Sequence, residues 1–430
     1  MSSSPRTPAR QRRRPAKAGS VALVAFVAAL AVLLLAAACG GEDDGAEVRK
    51  IGGEGSVSAS ASGSASGSAS GPAKSGSPSG SASGPAKSGS PSGSASGSPS
   101  ASVAAVTEEE IKATPADGAY AYASTVDTHR LVVADICRIG TLLDAEGGID
   151  FAAIETIYRE GEASVKSDGS VRSIGGFAAR DDRGHGLDVY YGTPTPLDDF
   201  ITEALTGTGQ FEGEADGVRS QGIEKGIQNQ AMVAWVIHEF AAALGKAADG
   251  NFAIADGAVH NWDEGWAFYH GSEPGCAPYA TGDKRAGNFG TLAADGETAL
   301  ANERIAAAMI DGRDALVAGD AARAEAAAAE VVRNVVIIYS QAAVRYATLI
   351  EGDLAGGDAD AAREHQAEGL AFWRVIEALV ADAGADVVSI NTFFNLANQP
   401  APGGGELVRA GLEPAWAALG ISDQDIGELQ

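Results

Sequence analysis

Histidine is scarce in this chain, six in 430 residues, and two of the six open near-copies of one motif. The first copy reads His260-Asn261-Trp262-Asp263-Glu264-Gly265-Trp266-Ala267-Phe268-Tyr269. The second reads His365-Gln366-Ala367-Glu368-Gly369-Leu370-Ala371-Phe372-Trp373. Both fit His-x-x-acid followed by Gly-x-Ala-Phe-aromatic, with one extra residue in the first. On a helix, positions i and i+3 share a face, so each copy can aim an imidazole and a carboxylate at one point. Nitrogen and oxygen donors in that combination suit a metal ion of hard or intermediate character. Carboxylates set among Trp262, Trp266, Phe268 and Tyr269 are costly to bury unless paired or metal-bound. The plainer alternative is an amphipathic helix with exposed acids. It weighs more for His365 and Glu368, where Arg363 and Glu364 make the segment polar.

The helix expected before the first motif carries further donors. Helical spacing lines Glu224, Gln228, Ala231, Trp235 and His238 along one stripe, with Glu239 adjoining. Polar groups on such a stripe need partners, and metal ligation would supply them. The alternative is a hydrogen-bonded core histidine beside an exposed glutamate. The metal-ligand candidates are therefore Glu224, His238, Glu239, His260, Asp263, Glu264, His365 and Glu368. Nothing around His129, His185 or His270 singles them out. Residues 331–350 precede the second motif as 224–244 precede the first, with Asn334 near the place of Asn229 and Arg345 and Tyr346 near that of His238. The second half thus lacks the His-Glu pair. An asymmetric duplication of this kind carries one good site, expected between the halves.

The elements that must hold these residues are helices. Apolar residues recur at three- and four-residue spacing over 118–143, 222–244, 258–269, 297–317, 321–350, 359–380 and 406–419. The expected fold is all-α, a helical domain of residues 106–430 built from two similar halves and preceded by a disordered linker. Between 161 and 196 the pattern breaks into a loop or small hairpin. No Gly-rich phosphate loop follows a strand, and no Gly-x-Ser-x-Gly elbow occurs. The net charge of −26 argues against nucleic acid and anionic membrane surfaces as partners.

The N-terminus is an address. Residues 1–20 are basic without an acid, residues 21–38 are an unbroken apolar run, and Cys39 comes next. This reads as a signal peptide over 1–38 with a lipobox at Leu35-Ala36-Ala37-Ala38-Cys39, its leucine one position further back than usual. An uncleaved membrane anchor is the alternative, and both put the rest outside the cytoplasm. Residues 39–105, mostly Ser, Gly, Ala and Pro from 53 onward, cannot bury a core and read as a lipid-anchored tether. Beyond it, Cys137 and Cys276 are the only thiols, and export makes a disulfide between them a candidate against two buried free thiols.

Residues 259–269, with Lys284-Arg285-Ala286-Gly287-Asn288-Phe289-Gly290-Thr291 and Ala301-Asn302-Glu303, resemble the FEA family. These are iron-assimilation or low-iron-inducible periplasmic proteins of algae, with bacterial relatives, grouped with the phytotransferrins. The resemblance covers most of residues 115–425. It implies an extracytoplasmic iron-binding protein that takes ferric iron, with carbonate as a companion anion. It does not name the ligands. A bound carbonate would need a cation, and Lys225 and Arg285 are candidates. The reading is a non-enzymatic lipoprotein on the outer face of the cytoplasmic membrane, capturing ferric iron for a membrane iron transporter. It meets the membrane only through its anchor. One competitor is a helical-bundle metal-dependent oxidase, which would need Glu-x-x-His pairs on two helices. The other is a metal-free adhesion or scaffold domain. Convergence or scatter of Glu224, His238, Asp263, Glu264, His365 and Glu368 separates them.

Overall fold

The computed structural model describes residues 114–183 and 185–430; the signal segment, Cys39 and the linker lie outside them. Among the described residues every regular element is helical. Strand pairing is limited to isolated bridges, Asp117 with Tyr120, Val165 with Val171 and Leu292 with Ala299. In chain order the helices are α1 (Asp127–Arg130), α2 (Val132–Leu143), α3 (Phe151–Glu160), α4 (Ile174–Ala178), α5 (Leu187–Tyr191), α6 (Pro196–Thr206) and α7 (Asp216–Lys225). A π-helical turn, Gly226–Ala231, leads directly into α8 (Met232–Ala248). Then come α9 (Ala258–Tyr269), α10 (Pro278–Phe289), α11 (Leu300–Val317), α12 (Ala321–Gly356), α13 (Ala359–Ala381), α14 (Val387–Phe394), α15 (Gly404–Leu419) and α16 (Asp423–Ile426).

The two motifs share one local layout. The first lies on α9, packed along α8; the second lies on α13, packed along α12. Only Gly357 and Asp358 separate α12 from α13. Gly357 takes φ 81°, the left-handed conformation that ends a helix most cheaply without a Cβ. Asp358 then caps α13 by accepting from the Ala361 amide, so the chain reverses at once. The glycine common to both motifs marks a close approach. A Cβ on Gly265 would stand 3.0 Å from Phe240 Cε1, and one on Gly369 would stand 2.1 Å from Phe394 Cε1. Both helix pairs contribute to one continuous core, in which Trp235, Trp262, Trp266 and Trp373 are fully buried. Each such side chain contributes about 1.5–3 kcal/mol or more on burial. The helix 216–248 and α12 are long and apolar enough to cross a bilayer, yet 72% and 89% of their apolar windows are buried, as core helices are.

Two expectations change. The helix expected over 118–143 begins only at Asp127. Upstream, the Ala123 and Ser124 amides donate to the Asp263 carboxylate, so a tertiary acceptor takes the bonds a helix would need. The irregular stretch from 161 holds one small turn, bridged at Val165 and Val171, and then the short helices α4 and α5.

Candidate functional site

The first motif builds a buried cluster around Glu264. Its Oε1 accepts from His260 Nε2 at 3.0 Å, one helical turn earlier, and from His129 Nε2 at 2.8 Å, contributed by α1. Glu264 is 4% exposed and His129 6%, while His260 is half-buried and forms the side nearest solvent. Burial alone would raise the Glu264 pKa, but the two imidazoles hold it well below the ordinary carboxylate range. The carboxylate is therefore ionised. Burial lowers His129, against the pull of Glu264, and leaves it neutral near pH 7. Burial also acts to lower His260, but the hydrogen bond and charge of Glu264, with the charge of Asp263, more than offset it and raise its pKa. His260 Nδ1 meets Ser124 Oγ at 3.1 Å. His129 Nδ1 is buried without a hydrogen-bond partner among the described residues. The other glutamate oxygen, Oε2, is reached by Asn261 Nδ2 at 3.3 Å, and the same amide donates to Glu239 Oε2 at 2.8 Å. Trp235 Nε1 donates to Glu239 Oε1 at 3.0 Å. Glu239 thus orients the amide that orients Glu264.

Asp263 does different work. Tyr120 Oη donates to Oδ1 at 2.6 Å, while Oδ2 takes the Ala123 amide at 2.9 Å, the Ser124 amide at 2.6 Å and Ser124 Oγ at 2.7 Å. One donor on Oδ1 and three on Oδ2 staple the segment before α1 to α9. That staple also positions Ser124 against His260.

The second motif builds a cluster of different chemistry. His365 Nδ1 meets Asp353 Oδ2 at 2.6 Å, and its Nε2 lies 4.0 Å from Glu368 Oε2. Glu368 Oε1 lies 3.6 Å from Lys225 Nζ, which pairs with Glu224 at 2.7 Å. The Tyr346 hydroxyl hydrogen-bonds to Glu368 and to Arg285. Burial raises the Glu368 pKa, with Lys225 opposing. Arg285 is only 7% exposed and lies over the rings of Tyr346 and Phe372. Its Nε and Nη1 have no hydrogen-bond partner among the described residues. A buried guanidinium with two unused donors is costly to maintain unless an acceptor arrives.

The expected single convergence does not form. Glu264 and His260 meet at one centre, Glu224, His365 and Glu368 at another, and His238 elsewhere, 3.3 Å from Arg183 and beside Phe177. The stripe from Glu224 to His238 fails because the π turn lies between them. A π turn adds a residue and rotates the downstream helix by about 100° relative to a continuous α-helix. As the side chains stand, no group of three or more His, Cys, Asp or Glu residues among the described residues is arranged to hold a metal ion. The residue missed from sequence is His129. Its partner is 135 positions away, and no local spacing could have announced it. Cys137 and Cys276 form a disulfide, which ties α2 to the turn just after α9.

Searches of curated proteins and of solved structures find no significant match. A family model described as low iron-inducible periplasmic protein matches residues 94–392, more than half of the chain. Its match spans both motifs and both clusters, and the chain belongs to the low iron-inducible periplasmic protein family.

Proposed function

We propose that this chain captures ferric iron outside the cytoplasm and hands it on for uptake, without catalytic turnover. Family membership supports an iron-related, extracytoplasmic role. The observation that carries the reading is the meeting of two imidazole nitrogens on one ionised, buried carboxylate, at 2.8 and 3.0 Å. Two histidines and one carboxylate are a donor set that suits iron. With bonds of about 2.1 Å, adjacent ligands of an octahedral ion stand about 3.0 Å apart, close to these separations. Iron would take the place of the protons that now join the three side chains: neutral His129 would move its proton to Nδ1, while protonated His260 would release one to solvent, so binding should weaken in acid. Lipidation at Cys39 and the tether to 105 would hold the domain at the outer face of the cytoplasmic membrane, within reach of a transporter.

Carbonate fits the second cluster better than the first, because Arg285 there offers two unpaired N–H groups to an oxyanion. Lys225 already pairs with Glu224 and Glu368. This favours a second reading, in which iron and carbonate bind together beside Arg285, with Tyr346, Glu368 and His365 as iron ligands. Calorimetric iron titration with and without bicarbonate separates the two. If the first reading holds, His129→Ala and His260→Ala lose affinity and Arg285→Gln does not. The reverse pattern supports the second. Absence of any iron binding by the wild-type chain refutes both and favours the scaffold, and multi-turnover oxidation of ferrous iron would contradict the non-enzymatic role.

A further inference from the structure

A third polar site lies apart from both clusters. Helices α5, α13 and α14 enclose a cleft of about 260 Å³, whose wall includes Tyr191, Leu370, Arg374, Glu377 and Asn395. Its size suits a small metabolite rather than a large ligand. Glu377 is 3% exposed, and its carboxylate accepts from Tyr190 Oη at 3.1 Å, Tyr191 Oη at 2.6 Å and Asn391 Nδ2 at 2.5 Å. Burial above all keeps both phenols protonated, so they remain donors. Three of roughly four acceptor positions are filled, which leaves one. Arg374 is fixed by Nε to Gln230 at 3.2 Å, by Nη2 to the Pro196 carbonyl at 3.1 Å, and by stacking on Tyr191 and Phe200. Its Nη1 makes no bond among the described residues, although the side chain lines the cleft.

The wall therefore carries one rigid carboxylate and one rigid guanidinium, and no other charged side chain. A purely anionic ligand would meet Glu377 and a purely cationic one would meet Arg374. A zwitterion satisfies both. The apolar side is supplied by Leu370 and the ring of Tyr191. We propose that this cleft binds a free aliphatic α-amino acid, its carboxylate on Arg374 and its ammonium on Glu377. This goes beyond iron capture and does not depend on it.

The test is calorimetric titration of the full chain with L-leucine. The comparison probes are 4-methylpentanoate, which lacks the ammonium, and 3-methylbutylamine, which lacks the carboxylate. Leucine should bind saturably, and each comparison probe at least tenfold more weakly. Arg374→Gln should weaken leucine at least tenfold. Asn395→Ala, which leaves the bonds of Glu377 intact, should weaken it a few-fold, and both variants should keep wild-type iron affinity. No saturable binding of leucine at millimolar concentration overturns the proposal. So do comparison probes that match leucine.

Discussion

Glu264→Gln is the perturbation that tests the first cluster most directly. The wild-type carboxylate accepts two imidazole N–H bonds, at 2.8 and 3.0 Å. Bonds to a charged acceptor contribute about 1.5–3 kcal/mol each, or about 3–6 kcal/mol for the pair. The same substitution removes a buried charge, which offsets several kcal/mol of that loss. Its new amide N–H₂ also confronts the Asn261 amide donor that now meets Oε2. The expected net loss is about 1–3 kcal/mol, roughly 2–5 °C in Tm for a domain of about 300 residues. Iron affinity should fall at least tenfold, because the only carboxylate between the two imidazoles is gone. The pH profile should change in a defined direction. Glu264 is depressed below its ordinary 4.5, so its contribution is present above pH 4.5 and is lost as pH falls through the lower folded value. His260 is raised above 6.5, so its contribution is complete below pH 6.5 and is lost as pH rises through the higher folded value. Both slopes should flatten in the variant. The assays are thermal melts from pH 9 down to well below pH 4, where the Glu264 contribution is lost, and an iron titration at fixed pH. An iron-dependent rise in Tm equal to that of wild type would refute the role of Glu264, because mass action ties that rise to affinity.

Asp263 should behave as a staple rather than a ligand. Asp263→Ala strands the Ala123 and Ser124 amides and should cost about 3–5 kcal/mol in denaturant unfolding, with new protease cleavage near residue 120. Gly312→Ala should lower stability by about 1–3 kcal/mol, because its Cβ would stand 2.0 Å from Trp262 Cζ2; an unchanged Tm would refute that packing. Reduction of the Cys137–Cys276 bond, which closes a separation of 139 residues, should cost about 2–4 kcal/mol and is read by melting with and without dithiothreitol. Cys39→Ala should release the chain from the membrane fraction; retention and normal processing would dismiss the lipobox.

Helix content was legible because it is written locally. Segments such as 258–269 and 321–350 carry their own 3.6-residue period, and α9 and α12 appear there, α12 running on to Gly356. Two of the failures share a cause, a distant partner that overrode a local pattern, and the third is a local irregularity of the helix. Asp263 drew the amides of 123 and 124 out of a helix that the periodicity of 118–143 suggested. The π turn at Gly226–Ala231 broke a stripe that assumed one continuous period. His129 joined Glu264 across 135 residues, and only tertiary contact could bring them together.

The two copies of the motif sit in two different chemical surroundings. Both copies present an acid beside a histidine on a helix packed along a longer neighbour, with the shared glycine against a phenylalanine, Phe240 of α8 in the first and Phe394 of α14 in the second. The difference lies in the groups that the surroundings bring to the acid. Glu264 meets two imidazole nitrogens that stand beside it as donors. It is held well below the ordinary carboxylate range and is anionic, with His260 on the side nearest solvent. Glu368 meets Lys225 and Tyr346, is raised by burial, and lies near a guanidinium with donors to spare. The first arrangement gathers nitrogen and oxygen donors around one negative charge. The second already holds positive charge, with guanidinium donors left without a partner among the described residues. The spacing of His and acid alone therefore does not distinguish the two environments; the residues that set them apart, His129 and Arg285, lie on other helices.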